Sequence, residues 1–189
     1  MRQRHAEWCL ALAERAEPEL TGPAQMAWFA RLEAEIDNLR AAHAWALGRH
    51  DAATALRLGS ALERFWLTRG DLGEGRRWLE QALALEATGA PATRTKALAV
   101  LAVIAYFQRD YQTATVSGEA ALAGGRALND PATVGAALSV LANLADAAGD
   151  RRRASALYAE ALGHARLAGN RRWTSQIVNL LGLLAWRQG

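Results

Sequence analysis

Histidine and cysteine, the side chains best suited to metal or nucleophilic chemistry, are scarce in this 189-residue chain. A zinc-peptidase motif places two histidines four residues apart on one helix face, with a glutamate beside the first. None of the four histidines fits this pattern, and His43 and His50 are seven residues apart across an expected helix end. The single cysteine, Cys9, excludes an intramolecular disulfide and a cysteine-cluster metal site. We therefore predict no metal and no other cofactor.

The densest acidic group consists of Glu33, Glu35 and Asp37. Glu33 and Asp37 share one face of an expected helix, an arrangement that could place two carboxylates side by side. Arg31 and Arg40 are near enough along the chain to form ordinary surface ion pairs with them, and we favour that role. No G-x-x-x-x-G-K-[ST] phosphate loop is present either. The sequence therefore predicts no catalytic residue and a protein that is not an enzyme.

Composition indicates an all-helical protein, because the chain is 51% hydrophobic, rich in Ala, Leu and Arg, and contains only 4 Pro. Its net charge of +3 comes from arginine almost alone, since Lys96 is the sole lysine. Basic runs such as residues 151–153 could contact nucleic acid, which we keep as the alternative function. Acidic residues are dispersed among the basic ones, so we favour solvated helix surface.

The sequence shows no sign of a membrane or secretory segment. Arg or Glu interrupts every apolar stretch before it reaches the length that spans a bilayer. The first residues lack the long apolar centre and small-residue cleavage site of a signal peptide. We expect a cytoplasmic protein that does not bind membranes.

A turn followed by a helix recurs along the chain. The frame is set by Asp71, Asp110 and Asp150, which are 39 and 40 residues apart. Small residues recur four and eleven positions after each Asp: Gly75, Ala114 and Ala154, then Ala82, Ala121 and Ala161. Each unit therefore predicts two amphipathic helices around a short turn, where Gly closes one helix in a left-handed conformation and Asp caps the next. A fourth copy begins at Val178.

Apolar periodicity predicts the individual helices, and no segment alternates with the period of a strand. The expected helices span 3–17, 24–48, 52–69, 72–87, 93–108, 111–127, 131–148, 151–168 and 171–188. We expect the second of these to be broken near Glu33.

The units resemble tetratricopeptide repeats, whose helical hairpins have small residues at crossing points. Trp66 and Tyr158 occupy the slots of the large aromatic residues, whereas Ala105, Ala145 and Gly118 depart from them. The period is near 40, against about 34 for the standard repeat. The resemblance implies a right-handed α-solenoid of antiparallel helical hairpins, with the first helix of each hairpin lining a concave groove.

A second resemblance covers Met1 to about Leu85 and rests on "LTGPAQMAWFARLEAEIDNLRAA" and "RFWLTRGDLGEGRRWLE". These segments are similar to the part of bacterial signal-transduction ATPases that follows the nucleotide-binding and winged-helix domains, in regulators fused to LuxR-type or SARP-type DNA-binding domains. The resemblance implies that residues 1–50 join the repeats to the ATPase part of a longer protein and that residues 51–189 form the repeats. A single continuous superhelix over both ranges is the alternative.

In that family the repeat region is the sensor and protein-interaction arm, so we expect a non-catalytic module of a transcriptional regulator. Its groove would bind a protein, a peptide or a small effector, while other surfaces contact further domains of its own chain or a second copy. We do not expect this segment to bind nucleic acid. By analogy with tetratricopeptide arrays, the expected groove residues are Arg57, Arg64, Lys96, Val103, Tyr106, Phe107, Ser139, Asn143, Asp146, Gln176, Asn179, Trp186 and Arg187.

Overall fold

A computed structural model describes residues 1–85 and 90–186, and this part of the chain is built of helices without a strand. The all-helical prediction is therefore confirmed for these residues. The helices are α1 (Arg2–Glu19), α2 (Gln25–Ala34), α3 (Ile36–Gly48), α4 (Ala52–Ala61), α5 (Glu63–Thr68), α6 (Leu72–Leu83), α7 (Pro91–Phe107), α8 (Tyr111–Ala127), α9 (Pro131–Ala147), α10 (Arg151–Leu167) and α11 (Arg171–Trp186). Among the residues described, no helix combines the length and the apolarity needed to cross a bilayer.

Two expected helices are interrupted. The break predicted near Glu33 lies at Glu35, between α2 and α3. A second break, at Leu62 between α4 and α5, was not predicted, and the single helix expected over 52–69 is wrong at this point. The interruption is short, because the backbone N–H of Trp66 already donates to the Leu62 carbonyl at 2.9 Å, as in a regular helix.

Aspartate caps confirm the predicted starts of α6, α8 and α10. In each case a carboxylate oxygen accepts a backbone N–H from the first turn, which satisfies a donor that the helix itself leaves unpaired. The bonds run from Gly73 to Asp71 at 2.7 Å, from Thr113 to Asp110 at 3.0 Å and from Arg153 to Asp150 at 3.0 Å.

The repeat predicts a glycine in the left-handed conformation before each capping Asp, but the structure has one at only one of the three positions. Gly149 has φ +82°, as predicted, but Gly70 is not among the residues with positive φ. Gly70 is instead required by a close approach, because a Cβ there would lie 2.5 Å from Cε3 of the Trp66 ring. Before Asp110 the left-handed position holds Arg109, with φ +62°.

We expect Arg109→Gly to raise the free energy of unfolding by about 0.5–1 kcal/mol, because glycine removes the side-chain strain of the left-handed conformation. Urea denaturation of both proteins measures the change. Asn129→Gly is the matched control, since Asn129 has φ +53° and asparagine tolerates this conformation better than arginine does. A loss of stability in Arg109→Gly would show that the Arg109 side chain contributes more than its backbone strain costs.

The helices form two compact units, Met1–Val100 and Leu101–Gly189, and the division falls within α7. In the first unit α1 packs against α3 and α4, and α4 packs against α6. Phe65 and Trp66 are buried here, and the Trp66 ring meets the Trp78 ring edge-on at 5.2 Å between centroids. This aromatic core fills the space that small residues leave between α4, α5 and α6.

In the second unit each helix packs on the next one in the chain, α8 on α9, α9 on α10 and α10 on α11. Small residues make these contacts close. Ala142 and Ala145 of α9 belong to one buried cluster with Ala154 and Ala161 of α10. The prediction that residues four and eleven positions after Asp150 pack between helices is confirmed by their burial.

Candidate functional site

The second unit presents exposed aromatic residues where α7 ends and α8 begins. Tyr106 lies edge-on to Phe107 at 5.6 Å and is stacked with Tyr111 at 6.0 Å, both measured between ring centroids. Tyr106 packs partly against the buried alanines of α7 and α8, whereas Phe107 and Tyr111 are 59% and 43% exposed. A fixed inner ring and two solvent-facing rings give a preformed apolar contact surface.

Polar groups of α9 and α10 lie beside these rings. The Tyr158 hydroxyl donates a hydrogen bond to Oδ1 of Asn143. Burial raises the pKa of Tyr158 well above its usual value, with smaller contributions from Tyr106 and Asp146, which must therefore be nearby. Burial also raises the pKa of Tyr106, followed by the effects of Tyr111 and Asp146. We call Tyr106, Phe107, Tyr111, Asn143 and Asp146 the α7–α9 surface.

The α7–α9 surface combines aromatic rings with an amide and a carboxylate. Both tyrosine hydroxyls stay protonated at neutral pH, because their pKa values are raised rather than lowered. A neutral hydroxyl can donate and accept hydrogen bonds. Tyrosine is one of the residue types that most often anchor a partner at protein interfaces.

The remaining predicted groove residues of the second unit lie in varied settings. Val103 packs against the buried alanine cluster that supports Tyr106. The Ser139 hydroxyl donates to the Gly135 carbonyl within its own helix at 3.0 Å, so its donor is used locally. Gln176, Asn179 and Trp186 are exposed on α11, and Arg187 lies outside the described residues.

In the first unit two of the three predicted groove cations, Arg57 and Lys96, face carboxylates of α1. Arg57 makes two hydrogen bonds to Glu14, at 2.7 and 2.8 Å. Lys96 binds both oxygens of Glu17, at 2.6 and 2.8 Å. An acidic ligand would have to compete with these intramolecular partners, which sequence reasoning missed because they come from a helix far away in the chain.

Glu63 is another residue that the sequence did not single out. It lies partly buried at the start of α5 among Glu17, Lys96 and Arg64. Burial and the Glu17 carboxylate raise its pKa from 4.5 to about 7, although Lys96 and Arg64 act in the opposite direction. The Nε atom of Arg64 is buried and has no hydrogen-bond partner among the described residues. This cluster holds a carboxyl group that titrates near neutral pH.

His43 and Cys9 are buried and chemically quiet. His43 stacks on Trp78 at 4.2 Å between ring centroids, and its Nε2 atom is 3.2 Å from the Trp78 carbonyl oxygen. Burial lowers the pKa of His43 to about 4, so the ring is neutral at pH 7. Burial raises the pKa of the Cys9 thiol to about 11, which keeps it protonated and unreactive. The described part of the chain contains no group of three potential metal ligands.

No protein-family model matches the chain. Two curated relatives, one from Mycobacterium tuberculosis strain H37Rv and one from Mycobacterium bovis, are each 31% identical to it over 192 residues. Both are provisionally named HTH-type transcriptional regulators. The similarity covers 97% of this chain but only 21% of each relative, so the chain spans about a fifth of the length of the relatives that it matches.

Proposed function

We propose that this chain is a non-catalytic interaction and sensing module of a bacterial transcriptional regulator, built as a tetratricopeptide-like right-handed solenoid. It binds a peptide, a partner protein or a small effector through the first helices of its hairpins. The observation that carries the proposal is the α7–α9 surface, where exposed aromatic rings lie beside an amide and a carboxylate.

Recurrent packing within the hairpins supports the repeat architecture. The residue five positions before each capping Asp packs with the residue four positions after it. Ala105 and Ala114 share one buried cluster, and Ala145 and Ala154 share another. In the first unit the equivalent residues, Trp66 and Gly75, are also in direct apposition. Such a repeated hairpin contact is typical of helical-repeat proteins.

The regulatory role rests on the relatives named as HTH-type transcriptional regulators. In a longer regulator of this kind, binding of a partner by the repeats would bias an attached ATPase between inactive and assembled states. A ligand achieves this only if it binds one of the two states more tightly than the other.

Nucleic-acid binding by a basic helical surface is less well supported. Arg57 and Lys96 are engaged by Glu14 and Glu17, and Arg126 binds Glu160 at 2.6 Å. Binding of a duplex DNA oligonucleotide that weakens steeply with salt would favour this alternative over the proposal.

We test the proposal with peptides selected against the chain from a random display library. Phe107→Ala should weaken the selected peptides by about tenfold or more, because an exposed aromatic anchor is lost. The change is measured by isothermal titration calorimetry. Since Phe107 is mostly exposed, its removal should leave the fold intact.

Val116→Ala is the matched control, because Val116 is a 64% exposed apolar residue on α8 outside the α7–α9 surface. Its affinity for the same peptides should equal that of the unmodified chain. If Phe107→Ala and Tyr106→Ala both leave the affinity unchanged, the α7–α9 surface is not the binding site.

A further inference from the structure

Helix α11 presents two different faces. Ile177 and Leu184 are buried on the side that packs against α10. On another side Val178 and Trp186 are 46% and 78% exposed, and Gly182 between them is exposed as well. Ala185 is also exposed. We call Val178, Gly182 and Ala185 the α11 face.

The repeat frame shows what covers the same positions in α9. Val178, Gly182 and Ala185 correspond to Leu138, Ala142 and Ala145 of α9, 40 residues earlier. These α9 residues are buried in one cluster with small and aromatic residues of α10, the helix that follows: Ala154, Tyr158, Ala161 and Ala165.

The earlier hairpins show the same arrangement. Ala102 and Ala105 of α7 share a buried cluster with Ala114 of α8. In the first unit the position equivalent to Val178 is Gly59 of α4, and a Cβ there would lie 3.0 Å from the Leu79 side chain of α6. In three hairpins, therefore, the positions equivalent to the α11 face meet the helix that begins at the next capping Asp.

The covering helices share a simple pattern. Each has small residues four and eleven positions after its capping Asp, which let the two backbones approach closely. In α8 and α10 the fifteenth position, Gly125 or Ala165, is small and buried too. The exposed small residues of α11, Gly182 and Ala185, are complementary to such a helix.

We propose that the α11 face binds an amphipathic helix of the α8 and α10 type, with small residues four, eleven and fifteen positions after an N-terminal Asp. The incoming helix would lie over Gly182 and Ala185 and cover Val178, as α10 covers the equivalent residues of α9. This contact is separate from the α7–α9 surface and does not depend on the proposed peptide binding there.

The probe is an acetylated and amidated peptide of residues 149–168, the α10 segment, titrated into the full chain by isothermal titration calorimetry. We expect saturable binding at one peptide per chain. Gly182→Arg should weaken the binding by about tenfold or more, because its side chain fills the contact. Gly163→Arg is the matched control, since no atom lies within 4 Å of a Cβ at this exposed position on α10.

A second peptide, with arginine in place of the alanines at its fourth and eleventh positions after Asp, should not bind. Equal binding of both peptides, or no heat of binding from the α10 peptide at millimolar concentration, would overturn the proposal. Self-association that Gly182→Arg abolishes, in place of peptide binding, would assign the α11 face to a second copy and also overturn it. Phe107→Ala should leave the peptide affinity unchanged, which separates this result from the test of the α7–α9 surface.

Discussion

Replacing Glu63 with glutamine should raise the free energy of unfolding by roughly 2–3 kcal/mol at pH 8 and by much less at pH 4.5. Glutamine resembles the protonated carboxyl in shape and carries no charge. The substitution therefore removes the need to keep a carboxylate buried beside Glu17, which the folded chain must do once Glu63 ionises.

The sign follows from the raised pKa. Glu63 titrates near 4.5 when exposed and at about 7 in the folded chain, so the folded state holds its proton more tightly. The stabilisation from this proton is fully present below pH 4.5 and is lost as the pH rises to about 7. A shift of this size corresponds to about 3 kcal/mol, and because the Glu63 side chain is partly exposed, solvent screening makes the expected effect somewhat smaller.

Urea denaturation at pH 4.5, 6 and 8 measures the difference between the variant and the unmodified chain. Glu119→Gln is the matched control, because Glu119 is an exposed carboxyl on α8 and its loss should change stability by less than about 0.5 kcal/mol at each pH. A Glu63→Gln difference that does not grow with pH would mean that Glu63 is not held in its protonated form.

His43 has the opposite effect on the pH dependence of stability, over nearly the same pH range as Glu63. Its pKa falls from 6.5 to about 4 in the folded chain, so its contribution is complete above pH 6.5 and is lost as the pH falls toward 4. In the unmodified chain the two slopes oppose each other between pH 4.5 and 6.5. Since Glu63→Gln removes the Glu63 slope and keeps that of His43, the stability of the variant should rise with pH over this interval more steeply than that of the unmodified chain.

Local features of the fold could be predicted because they depend on residues close together in the sequence. The Asp110 carboxylate caps a helix by reaching a backbone N–H three residues away. Ala114 and Ala154 are buried because helical periodicity fixes which side of α8 and α10 meets its neighbour. Neither inference requires knowledge of distant segments.

Features that depend on distant segments could not be predicted. Glu17 is 46 residues from Glu63, and only the packing of α1 brings the two carboxylates together. Glu14 reaches Arg57 in the same way, so the ion pair of this expected groove residue could not be predicted either. Analogy with other repeats predicts Asn143 as a groove residue, but its hydrogen bond from Tyr158 depends on the register of α9 against α10, which the sequence does not show.

Gly75→Ala should lower the free energy of unfolding by about 2–3 kcal/mol, although alanine is the better helix former by about 1 kcal/mol. A Cβ at this position would lie 2.6 Å from Cγ and 2.7 Å from Cδ1 of Trp66, both within the rigid indole. The ring cannot move away, because Trp66 is fully buried, meets Trp78 edge-on and is closely approached by Gly70.

Gly163→Ala is the matched control for helix propensity. Gly163 lies within α10 with no atom near its Cβ position, so the same substitution should stabilise the chain by about 0.5–1 kcal/mol. Thermal and urea denaturation of both variants measure the two changes. A stabilising effect of Gly75→Ala would show that the Trp66 ring can repack.

A double-mutant cycle isolates the clash itself. Trp66→Ala should cost about 3–5 kcal/mol through loss of a buried aromatic side chain. On that background Gly75→Ala should no longer destabilise, because the alanine pair then matches the pairs that the other hairpins use, Ala105 with Ala114 and Ala145 with Ala154. In the first hairpin a tryptophan and a glycine meet at the crossing point, whereas two alanines meet there in the later hairpins. The double mutant should therefore give the first hairpin the same kind of contact as the later ones.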